Sequence, residues 1–211
     1  MAERSLRQRK KDRTRARLIE VSQRLFAEQG YDATTLEQIG DEAEVSVPTL
    51  LVYFESKERL ALTPDYDSLA EFQARVRDPD RTLSTIELWR EHVRQGVPPG
   101  RQAQRAYLRY FRFLGSSPAL VRGTLALLQQ YEDTIAEGLA VDYGTDPRGD
   151  LATRLLAASL TFGNQTVVRH WLANGGKGDL AADCLAVIDF VVANFPEPGG
   201  AIGPARRARA R

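Results

Sequence analysis

Apolar residues recur along almost the whole chain at spacings of three and four, and no run alternates with period two. That pattern predicts an all-α fold. Residues 11–29 form the first predicted helix, with Leu18, Val21, Leu25 and Phe26 on one stripe. Gly30 is placed to end it, because glycine enters the left-handed cap conformation at little cost. Thr35 opens a second helix through a T-x-x-Q capping box with Gln38, and that helix points Leu36, Ile39 and Ala43 inward. Ser46 is placed to cap a short third helix, with Pro48 in its first turn and an end near Phe54. Ser56 is placed to cap a fourth, which begins Lys57-Glu58-Arg59-Leu60.

Further helices are predicted at 64–77, 83–95, 100–115, 118–141, 148–173 and 179–195. The breaks between them are Asp78-Pro79-Asp80, Val97-Pro98-Pro99-Gly100, Ser116-Ser117-Pro118, the stretch from Tyr143 to Pro147, and the glycine-rich stretch from Asn174 to Gly178. Residues 196–211 are rich in Pro, Gly, Ala and Arg and read as a disordered tail. No internal repeat is visible.

Composition narrows the class. With 211 residues, 43% hydrophobic and 27% charged, the chain can bury a core and is ordinary for a globular protein. It has no apolar run of the roughly 18 residues a membrane span needs. Its N-terminal segment is too polar and basic for a signal peptide. Cys184 is the single cysteine, so no intrachain disulfide forms, and a cytoplasmic location is expected.

Net charge is only +1, but residues 1–17 hold eight cations (Arg4, Arg7, Arg9, Lys10, Lys11, Arg13, Arg15, Arg17) against Glu3 and Asp12. A flexible basic arm at 1–11 suits contact with a polyanion. A solvated tail would have the same composition.

Residues 35–57 then carry the chemistry. Two short helices are joined by a turn of about three residues and follow a longer supporting helix. The third helix has an apolar side (Leu50, Leu51, Phe54) and a side left for a partner (Val47, Pro48, Thr49, Val52, Tyr53). A recognition helix needs both, since it packs on its neighbours and enters a groove about 12 Å wide. Thr35, Ser46, Tyr53 and Lys57 sit near helix starts or on the exposed flank, where hydroxyls, an ammonium and backbone N–H groups can hold phosphates. Periodicity alone is equally compatible with a plain helical hairpin.

The stretch from Phe26 to Ile39, with Gly30-Tyr31 and the paired Thr34-Thr35, and the stretch Val45-Ser46-Val47-Pro48-Thr49-Leu50-Leu51-Val52-Tyr53-Phe54-Glu55-Ser56-Lys57 resemble the TetR/AcrR-type transcriptional regulators. The detailed match covers about residues 12–62. The resemblance implies about nine helices, divided into a helix-turn-helix DNA-binding domain at 12–57 and a helical ligand-binding and dimerisation domain at 58–195. It further implies a homodimer formed through helices about 148–173 and 179–195, a palindromic double-stranded DNA operator, and repression relieved by a small-molecule effector. Two positions depart from the pattern. Glu44 stands where glycine is usual, at a cost of up to roughly 1–2 kcal/mol if that residue is left-handed. Leu51 and Val52 replace aromatic or polar side chains, so readout would rest on thymine methyls, Thr49, backbone groups and DNA shape. These departures keep open a second reading, a helical ligand-binding or interaction module whose DNA binding is weak or lost.

The last two predicted helices are apolar on more than one face. Leu151, Leu155 and Phe162 lie on one side of the first, with Leu156, Gly163, Val167 and Trp171 on another. In the second, Leu180, Cys184, Ile188, Val191 and Phe195 are joined by Leu185 and Val192. Such helices are buried on both sides, by a second subunit or by the core of a monomer. Trp89, Tyr107, Tyr110, Phe111, Phe113, Tyr131 and Phe162 either line an apolar pocket, with Asn164, Gln165 or His92 fixing orientation, or pack as ordinary core. The candidate effector set is Trp89, Tyr107, Tyr110, Phe111, Phe162 and Asn164.

No catalytic motif, metal-ligand spacing or cofactor fingerprint occurs. His92 and His170 lie on separate predicted helices, and Asp65 and Asp67 read as solvated carboxylates in a first turn. Neither an enzyme nor a cofactor is expected.

Overall fold

A computed structural model describes residues 6–97, 100–146, 148 and 150–195. The chain is all-helical, and the described residues contain no strand. Among the described residues ten helices follow in order: α1 (Leu6–Gln29), α2 (Leu36–Ala43), α3 (Val47–Phe54), α4 (Lys57–Ala61), α5 (Thr63–Val76), α6 (Thr85–Gly96), α7 (Arg101–Leu114), α8 (Pro118–Tyr143), α9 (Leu151–Ala173) and α10 (Leu180–Asn194). Arg4, Pro98, Pro99, Pro147 and the tail from 196 lie outside the described residues.

Local chemistry explains most boundaries. The Gly30 amide closes α1 on the Phe26 carbonyl at 3.1 Å, with φ +86°. Both halves of the Thr35–Gln38 capping box form, at 3.2 and 2.9 Å. The Ser56 hydroxyl accepts from the Arg59 amide at 3.0 Å. Ser84 and Glu87 make a second capping box, which starts α6 at Thr85 instead of 83. Asp150 caps α9, so that helix begins at Leu151 instead of 148.

Two expectations change at the N-terminus of the chain. Helix α1 begins at Leu6, so residues 6–11 of the expected arm form its first turns and the helix starts earlier than 11. The run Leu6–Arg17 is made almost entirely of good helix formers without Gly or Pro, and the Gln8 amide donates to Asp12 one turn on, at 2.8 Å. The second change concerns Ser46, which occupies the N-cap of α3 but makes no capping bond. Its hydroxyl pairs with the Thr49 hydroxyl instead, at 2.8 Å.

The chain divides into two compact units. The first holds the described residues of 1–68 with Arg109–Leu127, and the second Leu69–Leu108 with the described residues of 128–211. The unit that holds the helix-turn-helix also takes in residues 58–68 and 109–127. Its core is Leu18, Val21 and Phe26 of α1, Tyr31, Ile39 of α2, Leu50 and Phe54 of α3, Leu60 and Leu62, and Leu114 and Leu120. On α1, Ser22 takes the fully buried place on the stripe and Leu25 is only half-buried. Phe26, Tyr31 and Phe113 pack ring on ring at 5.5–6.4 Å between centroids. The second unit pairs α9 with α10, where Gly163 leaves room for Val187, and packs α6 against α10.

Candidate nucleic-acid interface

Helix α3 is held by Leu50 and Phe54, one turn apart and both buried. Leu51 belongs with the exposed residues, at 37%, rather than with the apolar side assigned to it, since the burying face here is only two residues wide. Val52 is 83% exposed, and Pro48 and Thr49 are exposed beside it. Tyr53 is half-buried and tilts against Phe54. Val47 is half-buried and leans toward Gly40 of α2. Thr35 is exposed at the start of α2.

The turn between α2 and α3 closes on Gly40. The Val45 amide donates to the Gly40 carbonyl at 2.8 Å, and a Cβ at residue 40 would lie 2.5 Å from the Val45 carbonyl oxygen. Glycine is therefore the residue that fits there. Glu44 is left-handed, with φ 58° and ψ 40°, the conformation in which its non-glycine identity costs energy. Glu55 at the other end of α3 is also positive, with φ 64°.

A groove of about 620 Å³ runs beside α3. Arg7, Lys10, Lys11 and Thr14 of α1 line it at helical spacing, with Glu44, Val45 and Ser46 of the turn and Thr49, Val52 and Tyr53 of α3. Three of the basic residues read as an arm are thus a helical wall beside the exposed face of α3. Lys57 is placed differently from its expected phosphate role. Its ammonium donates to the Tyr31 and Thr34 carbonyls at 2.8 and 2.7 Å and lies over the Tyr31 ring. Burial and the nearby Glu58 carboxylate push the Tyr31 hydroxyl above its ordinary pKa.

The aromatic residues do not form one set. In the second unit, Trp89 packs with Phe72, His92 and Tyr131, with ring centroids 4.9–5.8 Å apart and His92 stacked on Trp89. Phe72 escaped the sequence reading because a single ring in an amphipathic helix carries no signal of its partners. Burial, aided by the positive charge of Arg75, pulls the His92 pKa down to about 4. Asn164, only 8% exposed, keeps both side-chain amide atoms buried without a hydrogen-bond partner, and the Trp89 indole N–H is likewise unpaired. Tyr107 and Phe162, also in this unit, are half-buried. Tyr110 and Phe111 belong to the helix-turn-helix unit, where the Tyr110 hydroxyl donates to Asp65. Asp65 is therefore not the solvated carboxylate expected, and its burial raises its pKa.

An exposed helix-turn-helix face beside a cation-lined groove, followed by a second helical unit with buried unpaired polar groups, defines a helical transcriptional regulator. The comparisons agree. Residues 18–63 match the family of bacterial regulatory proteins of the tetR type, and residues 83–196 match the MftR C-terminal domain. The HTH-type transcriptional regulator TcmR of Streptomyces glaucescens is 32% identical over 173 residues, which cover 79% of this chain and 76% of that protein. The chain belongs to the TetR family of transcriptional regulators.

Solved structures show the same fold. Thermus thermophilus FadR in complex with lauroyl-CoA has a TM-score of 0.56 at 22% identity, covering 90% of this chain and 98% of that one. The SmeT–triclosan complex, SmeT being the repressor of a Stenotrophomonas maltophilia efflux pump, has a TM-score of 0.59 at 18% identity, with coverage of 90% and 98%. Among the described residues, no helix is long and apolar enough to cross a membrane.

Proposed function

We propose that this regulator is a cytoplasmic homodimeric repressor that binds a palindromic operator and leaves it when a small molecule occupies the second unit. The observation that carries the DNA half is the groove of Arg7, Lys10, Lys11, Thr49, Val52 and Tyr53. Cations on one wall neutralise phosphates, and the exposed face of α3 meets base edges. Pro48, Val52 and Thr49 offer methyl and methylene surface to thymine methyls, and Val47 helps to seat α3. Thr35, Ser46 and Tyr53 present hydroxyls to the DNA backbone, whereas Lys57 ties the start of α4, just after α3, to the turn between α1 and α2. The domain division proposed is a reading head built on 6–68 and 109–127 and an effector and dimerisation unit for the rest of the described chain.

Effector binding is supported by Asn164 and Trp89, whose unpaired polar atoms a ligand can satisfy. The aromatic residues packed on Trp89 and a neutral His92 favour an apolar, uncharged body. Lauroyl-CoA and triclosan, bound by structural neighbours, each carry a large apolar part. Dimerisation is supported by Leu151 and Leu155 on α9 and Phe190 and Val192 on α10, large apolar side chains left exposed on helices whose other faces are buried.

The decisive test is selection of bound fragments from genomic DNA, followed by titration of the best site at several salt concentrations. A palindromic site whose affinity falls steeply with salt is expected. Absence of binding, or a slope near zero, overturns the reading.

A further inference from the structure

At the groove beside α3, charge logic and backbone logic both argue against the residue present. Glu44 is exposed and lines the groove with Arg7, Lys10 and Lys11; its backbone N–H closes α2 on the Asp41 carbonyl, while its carboxylate makes no hydrogen bond or ion pair among the described residues. A carboxylate there opposes the phosphates that the cations attract. Its backbone is left-handed, at φ 58° and ψ 40°, where glycine sits without strain. One substitution to glycine would remove both penalties.

Position supplies the compensating role. Glu44 stands two residues before the N-cap of α3, and recognition helices read bases with their N-terminal residues. It shares the groove with Thr49 and Val52, the residues of α3 most available to a base edge. Val52 and Pro48 offer no hydrogen bonds and Thr49 only a neutral hydroxyl, so a carboxylate supplies the charged acceptor that the exposed face of α3 lacks. In the major groove, carboxylates accept from the exocyclic amine of cytosine and are repelled by the acceptor edges of guanine and thymine.

We infer that Glu44 is a specificity-determining residue of the DNA interface, accepting from an amino-bearing base edge, cytosine first, and weakening binding to every other sequence. The inference rests on the DNA-binding reading above.

The test is selection from randomised duplexes by the full-length protein and by Glu44→Gln and Glu44→Gly, with titration of the selected site and of a random duplex. Gln keeps the backbone strain and loses the charge, whereas Gly loses both. The wild type is expected to select an amino-bearing base at one position of each half-site. Both variants are expected to lose about tenfold of the discrimination at that position and to bind random duplex more tightly. Glu44→Gly alone is expected to melt at a higher temperature. If Glu44→Gln selects the same base by the same ratio, the inference is overturned while the DNA reading stands. If the wild type binds no duplex, both are overturned.

Discussion

The Lys57 ammonium lies 2.8 Å from the Tyr31 carbonyl oxygen, 2.7 Å from that of Thr34, and 4.1 Å from the centre of the Tyr31 ring. Lys57 opens α4, whereas Tyr31 and Thr34 sit in the turn between α1 and α2. One side chain therefore clips the exit of α3 to the entry of α2. Lys57→Met retains the stem but leaves two carbonyls without their charged donor. A loss of about 2 kcal/mol is expected for charge-assisted bonds at this partly exposed position. Urea unfolding measures it, and an unchanged midpoint would show that the clip is energetically idle.

The groove beside α3 has a readable electrostatic consequence. Replacing Arg7, Lys10 and Lys11 with alanine is expected to weaken operator and random duplex alike. Each lost phosphate contact lowers the slope of log affinity against log salt by about 0.9, so the triple variant is expected to lose up to about 2.7. An unaltered slope would place these cations away from the backbone.

Gly40, in α2, is where the turn to α3 packs back on the helix. The methyl of Gly40→Ala would meet the Val45 carbonyl oxygen at 2.5 Å, and backbone cannot step aside as a flexible side chain does. The variant is expected to lose DNA binding and to destabilise the helix-turn-helix unit by roughly 3 kcal/mol, as overpacking does. Calorimetry and gel shift check both, and wild-type affinity would contradict the close approach.

What the sequence revealed of this site follows a physical rule. Caps made within four residues, at Thr35 and Ser56, were legible because donor and acceptor share one helical turn. Ser46 misled because its hydroxyl chose Thr49 over the free amides. The Lys57 clip and the pairing of Asp65 with Tyr110 join residues 26 and 45 positions apart, so no local pattern announces either. The helical wall of α1 was hidden by its own charge, since a basic run suggests a tail as readily as a helix. The TetR resemblance supplied what periodicity could not, the function of the two short helices.

His92 makes stability depend on pH in a defined direction. Its pKa lies at about 4 in the folded chain against an ordinary 6.5, because burial between Trp89 and Phe72 disfavours the cation and the nearby Arg75 adds to the effect. Above pH 6.5 both states are neutral and His92 contributes no pH dependence. As pH falls from 6.5 toward 4, the unfolded chain takes up a proton that the folded one refuses, so stability declines by about 1.4 kcal/mol per unit, reaching about 3 kcal/mol. Unfolding of wild type and His92→Phe across this range isolates the effect. Identical curves would show that His92 is not held neutral.

Phe190 tests the assembly. It is 66% exposed in the middle of α10, a helix whose opposite face (Leu180, Cys184, Ile188, Val191) is fully used within the chain. Leaving a large aromatic ring in water forgoes roughly 2 kcal/mol of burial, and a pair of such rings at a twofold interface recovers it twice. Phe190→Glu places two carboxylates in the same dry contact. The variant is expected to run as a monomer in light scattering at micromolar concentration, to keep its helical content by circular dichroism, and to lose at least about a hundredfold in operator affinity, because each half-site is then bound alone. If the variant stays dimeric, the interface lies on another face, and the exposed Leu151 and Leu155 of α9 become the positions to charge next.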